Sequence, residues 1–183
     1  MIDLKAFTPY ISEKAMDLHY NYHYKGYKKK TQELYSKYKS NDNILDIVRI
    51  SYIEKNNDLF NNSSQVFNHE MFFKSLNPSK KIEEKHEMYI IKHFKKYELF
   101  MEEFINKGIK HFASGWIWLL EDDDNNAYIT TTNNSDIPLG LLFGNHKFIT
   151  VCDLWEHVYY PDYFNNRRSF LENFVKYLIF LHI

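Results

Sequence analysis

The order of apolar and polar positions splits the chain into a helical first half, a short strand-rich stretch and a helical end. Ser12 is placed to cap a helix that runs without Pro or Gly as far as Gly26. Phe60 to Leu76 reads as a second long helix, ended by Asn77-Pro78, because a residue before proline leaves the α region. Between them, residues 41–57 hold the apolar run Ile44-Leu-Asp-Ile-Val-Arg-Ile50, which we read as a helix rather than a buried strand. Ser79-Lys-Lys-Ile-Glu-Glu-Lys85 is a charged connector and the natural boundary between two halves, 1–78 and 79–183. Residues 82–107 read as two amphipathic helices, with Gly108 as the C-cap.

After Gly108 the pattern changes to strands. Trp116-Ile-Trp-Leu-Leu120 is apolar and β-rich, and Glu121-Asp-Asp-Asp-Asn-Asn126 reads as a solvated turn. Tyr128-Ile-Thr-Thr-Thr132 completes a hairpin, residues 133–138 form a loop, and Lys147-Phe-Ile-Thr-Val-Cys-Asp153 is a third strand. From Leu154 onward the chain reads as helical. Clustered strands flanked by helices predict an α+β fold. No internal repeat is visible.

Composition narrows the function classes. A length of 183 residues allows one domain, or two small ones sharing a core. Lys plus Arg number 23 against 24 Asp plus Glu, so the net charge of −1 argues against a nucleic-acid partner, which needs a basic surface. One cysteine, Cys152, rules out an internal disulfide framework and fits a reducing interior, either cytosol or the matrix of a mitochondrion or plastid. No run approaches the roughly 18 apolar residues of a spanning helix, so no membrane partner is expected. The first seven residues have no apolar signal-peptide core. Only three of the basic residues are Arg, a skew that reads as coding bias.

Nine histidines are scattered along the chain. His86, His93, His111 and His182 lie in charged stretches or at ends and read as surface residues. Other acid or imidazole positions form a candidate constellation. Asp153 closes a strand and His157 follows it by about one helical turn; His69 lies mid-helix among aromatics; His19 and His23 are four apart on an aromatic helix. Each spacing alone also fits a helix cap or a satisfied core histidine. Together, imidazoles from two long helices plus a carboxylate and an imidazole from a strand end make a site suited to Fe or Mn. With one carboxylate the site stays positive with either a divalent or a trivalent ion, a coherent design for electron transfer.

At these positions the chain resembles the iron/manganese superoxide dismutase family. Asp153-Leu-Trp-Glu-His-Val-Tyr-Tyr-Pro-Asp-Tyr163 is similar to D-x-W-E-H-x-Y-Y-x-D-Y. Phe112-Ala-Ser-Gly-Trp-Ile-Trp-Leu119 resembles F-G-S-G-W-x-W-L, and Phe60-Asn-Asn-Ser-Ser-Gln-Val-Phe-Asn-His69 resembles F-N-N-A-A-Q-V-W-N-H. His19-Tyr-Asn-Tyr-His-Tyr-Lys-Gly-Tyr27 resembles H-Y-x-K-H-H-x-x-Y. The chain departs from these patterns at Tyr22, Tyr24, Phe67, Phe72 and Arg168 and in the connector, and Lys25 stands where it could replace a lost funnel charge.

The resemblance implies an N-terminal α-hairpin plus a C-terminal α/β half with a three-stranded antiparallel sheet. It implies one metal ion per subunit on His19, His69, Asp153 and His157, with a solvent molecule as fifth ligand, and superoxide as substrate. Tyr27 matches a gateway tyrosine bonded to a pocket glutamine, and Trp116 and Trp155 match pocket walls. His23, Glu156 and Tyr160 match residues that cross a homodimer interface, with a tetramer as the alternative assembly; Glu156 would bond to His157 of the partner subunit. Arg167 matches a basic residue that draws in the anion. Gln65 stands four residues before His69, as in iron-type members, and the loop 133–138 lacks the Gln or His of manganese-type members. The resemblance therefore favours iron, with a manganese or cambialistic dismutase or a non-enzymatic dismutase-like scaffold as alternatives; a lapsed scaffold is expected to lose ligands, and all four are present.

Overall fold

The computed structural model describes residues 2–37 and 43–183, so the first two residues of the 41–57 stretch lie outside the described residues. Ser12 caps α1 (Glu13–Asp17) by accepting from Ala15 N at 3.1 Å, as its sequence position predicts. Its own N–H donates to Asp162 Oδ2 at 2.7 Å, which ties the start of this helix to the far end of the chain. The helix widens into a π-helical stretch, Leu18–Tyr24, and resumes as α2 (Lys25–Leu34). Gly26 therefore does not end it. Then come α3 (Ile44–Ile53), the helix favoured over a strand, and α4 (Asn57–Lys74), which stops shortly before Asn77-Pro78.

The connector leads to α5 (Glu84–Phe94) and α6 (Tyr97–Lys110). Gly108 lies inside α6 rather than capping it. Its reason for being glycine is tertiary: a Cβ there would stand 2.7 Å from Leu171 Cδ1, in a buried contact with the last helices.

The sheet has the order β2-β1-β3, with both pairings antiparallel. The strands are β1 (Gly115–Glu121), β2 (Ala127–Asn133) and β3 (Lys147–Asp153). The central strand β1 is buried along its whole length, including Trp116 and Trp118. Each such side chain contributes roughly 2–3 kcal/mol relative to exposure. Glu121 belongs to this strand and not to the turn. Its side chain is 9 % exposed, just beneath the hairpin tip, where it accepts from Lys147 Nζ at 2.7 Å and Tyr89 Oη at 2.9 Å. The Lys147 hydrogen bond holds its carboxyl below the usual range; burial opposes this and Tyr89 reinforces it. A depressed pKa stabilises the fold above the ordinary carboxylate pKa, and that contribution fades as pH falls through the folded value. Glu121→Gln is expected to cost about 1 kcal/mol at pH 7, given that Lys147 is largely solvated. The gap to wild type in urea melts should close towards pH 3; a gap constant with pH would remove the ion pair from the account.

Gly115 opens β1, and a Cβ there would lie 2.0 Å from the Thr132 carbonyl oxygen. Only glycine lets the strands pair at this register, and Gly115 O also accepts from Leu154 N at 2.9 Å. Gly115→Ala is expected to lower stability by about 3 kcal/mol, the upper end of overpacking; denaturant melts within 0.5 kcal/mol of wild type, well under the ~1 kcal/mol floor for overpacking, would contradict it.

A short helix α7 (Leu139–Phe143) precedes β3, and α8 (Glu156–Tyr163) and α9 (Arg167–Asn173) follow it. A second π-helical stretch, Phe174–Leu178, then gives way to extended chain. The helical reading from Leu154 onward thus fails at its end. The last residues fasten to two elements: His182 N donates to Ile149 O on the outer edge of β3 at 2.9 Å, and Phe180 N donates to Ser75 O at the end of α4 at 2.8 Å. This segment also covers His86, which is fully buried with its ring edge-on to Phe180 and not at the surface as its charged neighbours suggest. No helix among the described residues is long and apolar enough to cross a membrane.

Candidate metal centre

Four elements from both ends of the chain converge on one point. His19 comes from the π-helical stretch, His69 from the middle of α4, Asp153 from the last position of β3 and His157 from the first turn of α8. One ligand atom from each lies within 4.8 Å of all the others. His19, His69 and Asp153 are buried, and the His157 side chain is 15 % exposed.

Local hydrogen bonds aim these groups. His69 Nδ1 donates to the Gln65 carbonyl at 2.7 Å, which leaves Nε2 with a lone pair facing inward. Asp153 Oδ1 accepts from Trp155 N at 2.7 Å. Its Oδ2 lies 3.1 Å from His19 Nε2 and 3.4 Å from His157 Nε2. None of these is aligned as a hydrogen bond: Nε2 of all three histidines and Asp153 Oδ2 are buried without a partner among the described residues. Buried polar atoms without partners are costly, so four facing one point need a common partner, and a cation supplies it. The protonation states suit that role. Burial pulls His19 and His69 below the ordinary imidazole range and keeps them neutral. Burial pushes Asp153 up, but His157 and His19 beside it outweigh that and hold its carboxyl well below the usual range.

His19 and His23, which the sequence places on one helical face, remain neighbours in the π-helical stretch, with ring centroids 6.5 Å apart and edge-on. The His23 ring also stacks on His157, with centroids 4.0 Å apart and planes at 14°. It stands outside the group of four, and burial followed by the nearby His157 and His19 brings its pKa down to about 4.

Beside the four lies a cavity of about 340 Å³ lined by Tyr27, Asn61, Asn62, Gln65, Asn134, Ser135 and Trp155. Tyr27 shares this cavity with the Gln65 side chain; burial and then the Asp153 charge raise its pKa, and the nearby Gln65 side chain partly offsets them, with a net upward result. Gln65 is 3 % exposed and its Oε1 has no partner among the described residues. Trp116 meets His69 edge-on at 5.1 Å, and Trp155 tilts over His157 at 5.8 Å. Reading the sequence missed Asn61, Asn62, Asn134 and Ser135. The first two stand inside the motif that ends at His69, and the other two lie in a loop whose only sequence signal was its lack of Gln or His.

Glu156 and Arg167 line a different cavity, of about 550 Å³, with His111 and Tyr159. Arg167 donates to the His111 carbonyl at 2.8 Å and to Tyr159 Oη at 3.2 Å. Tyr160 is 47 % exposed on the same helix as Glu156. None of the three lines the cavity that holds Tyr27 and Gln65.

Two family profiles match the chain. Residues 2–77 match "Iron/manganese superoxide dismutases, alpha-hairpin domain", and residues 82–182 match "Iron/manganese superoxide dismutases, C-terminal domain". A Plasmodium falciparum protein named "Superoxide dismutase [Fe]" is 35% identical over 176 residues, covering 92% of this chain and 84% of its own length. A Babesia bovis protein of the same name is 32% identical over 180 residues, with 93% and 84% covered. A Rickettsia typhi protein named "Superoxide dismutase [Mn/Fe]" is 32% identical over 187 residues, with 96% and 84% covered.

Proposed function

The chain belongs to the iron/manganese superoxide dismutase family, whose members are metal-binding oxidoreductases, and we propose that it disproportionates superoxide at a single iron ion held by His19, His69, Asp153 and His157. The observation that carries the ligand set is the convergence of four buried, unpartnered lone-pair atoms. Iron is favoured by Gln65, one helical turn before His69 on the same helix, and by relatives whose names specify iron. A manganese or dual-metal enzyme is the second reading, favoured by the relatives named for both metals.

A bound redox ion supplies the one-electron chemistry, by which one superoxide is oxidised to oxygen and a second, with two protons, is reduced to hydrogen peroxide. The chain's own residues do the rest. Asp153 Oδ2 contributes the one negative charge among the ligands. The Tyr27 hydroxyl and the Gln65 amide, which line the same cavity, are a path for a proton into the pocket. Trp116 and Trp155 restrict the approach to small anions and hold the His69 and His157 rings in place. His23 backs His157 with its ring face. Arg167 lines the separate cavity of Glu156 and Tyr159, and we read its positive charge as acting on the anion from there; for an anionic substrate such local potential matters more than the net charge of −1.

We read Glu156, Tyr160 and His23 as belonging to a homodimer contact, with residues 1–78 and 79–183 as the two units of each subunit. Metal analysis of the purified protein, paired with dismutation assays and hydrogen peroxide sensitivity, tests the reading. Near one iron per chain with peroxide-sensitive activity is expected. Manganese with resistant activity would overturn the iron assignment, and a folded protein with neither metal nor activity would overturn the function.

A further inference from the structure

The loop that follows β2 is fastened on three sides. Asn134 N donates to the Ser114 carbonyl at 2.8 Å, just before β1. Ser135 Oγ donates to Asn61 Oδ1 at 2.6 Å, and Asn68 Nδ2 donates to Ser135 O at 3.1 Å. Asn61 and Asn68 lie four residues before and three after Gln65, so α4 grips the loop on both sides of the pocket glutamine. Within this bracket Asn134 has φ +50°, the left-handed region that asparagine adopts more readily than most side chains. That backbone turns its carbonyl towards the pocket, where it accepts from Trp116 Nε1 at 2.9 Å and from Trp155 Nε1 at 3.3 Å.

We propose that Asn134 is a positioning residue: its carbonyl oxygen tethers Trp116 and Trp155 to each other and thereby fixes the wall that Trp155 presents to the cavity beside the four ligands. The two indoles come from different elements, β1 and the start of α8, and each lies against a different ligand imidazole. Trp116 is fully buried and Trp155 lines the cavity, so the shared acceptor ties the wall ring to a fixed one and opposes its rotation into the cavity. The Asn134 side chain lines the same cavity, so the backbone and side-chain roles must be separated by experiment. The tether itself is independent of the proposed activity; only the identity of the anion rests on the dismutase reading.

The test compares Asn134→Gly, Asn134→Ala and Asn134→Val in the full chain. Glycine keeps the left-handed backbone, alanine resists it and a β-branched side chain resists it most. The first readout is acrylamide quenching of tryptophan fluorescence in metal-free protein, where Trp118 is a buried background emitter with its own bond to Thr132 Oγ1. The second is azide affinity of the metal-loaded protein. Quenching is expected to rise about twofold in the valine variant and less in alanine, with azide affinity changing severalfold in the same order, while glycine matches wild type in both. If valine fails to fold, the alanine–glycine comparison decides. Equal quenching in all variants would overturn the tether, and a glycine variant shifted as far as valine would transfer the role to the side chain. A graded quenching series in a protein that does not dismutate superoxide would sink the function and leave the tether standing.

Discussion

His69→Ala is expected to yield a folded protein that retains less than about a tenth of an equivalent of metal and dismutates superoxide only at background, a loss far larger than the 10–100-fold typical of groups outside the ligand shell. The ring is fully buried at the centre of α4 and offers its one unpartnered nitrogen to the group of four. Its removal leaves three ligand atoms and a void between His19, Trp116 and His157, whose rings lie 4.9, 5.1 and 5.9 Å from its own. The void alone costs a few kcal/mol, about 2–5 by analogy with large-to-small core changes. His69→Gln, which fills more of it, therefore accompanies the alanine variant. A ligand that binds only the folded state at a thousand times its dissociation constant adds about 4 kcal/mol of stability. Wild type should accordingly lose much of its thermal stability to a chelator, while both variants should be nearly indifferent to it. A variant that holds a full equivalent of metal would sink the ligand assignment.

Gln65→Glu is expected to keep the metal and lose about a hundredfold in activity at neutral pH, the scale seen when a single pocket hydrogen-bond donor is removed. The side chain is nearly sealed from solvent beside Asp153 and Tyr27, so a second carboxyl there is forced towards its neutral form. The sign follows from that. At low pH the protonated glutamic acid resembles the amide and still donates; as pH rises through its elevated pKa it becomes an anion, repels the substrate and ceases to donate. Activity relative to wild type should therefore fall with increasing pH. The measurement is the pH–rate profile alongside metal content, and activity at wild-type level across the range would remove Gln65 from the proton path.

Much of the fold was legible because its signals are local. The three strands lie where apolar and β-branched runs alternate with turn residues, and the α3 run reads correctly as a helix. The errors arise where a distant contact overrides the local signal. Gly108 looks like a cap until Leu171 is seen to need its missing side chain. His86 looks exposed until the extended C-terminal residues cover it. At the site, Asp153 and His157 stand in one contiguous segment and were easily paired. His19 and His69 join them first as a conjunction of residue types and then, specifically, through the resemblance, since nothing in their spacing predicts that they meet. The stacking of His23 on His157 has no composition signal, and a backbone carbonyl such as that of Asn134 carries none at all.

The four ligand atoms come two from the N-terminal helices and two from the end of β3 and the start of α8, and three of the four residues are out of contact with solvent. An ion held there would act as a rivet between the N-terminal helices and the β3–α8 junction. Its loss would leave buried lone pairs facing one another from both sides, so releasing the ion would also loosen the joint that it closes.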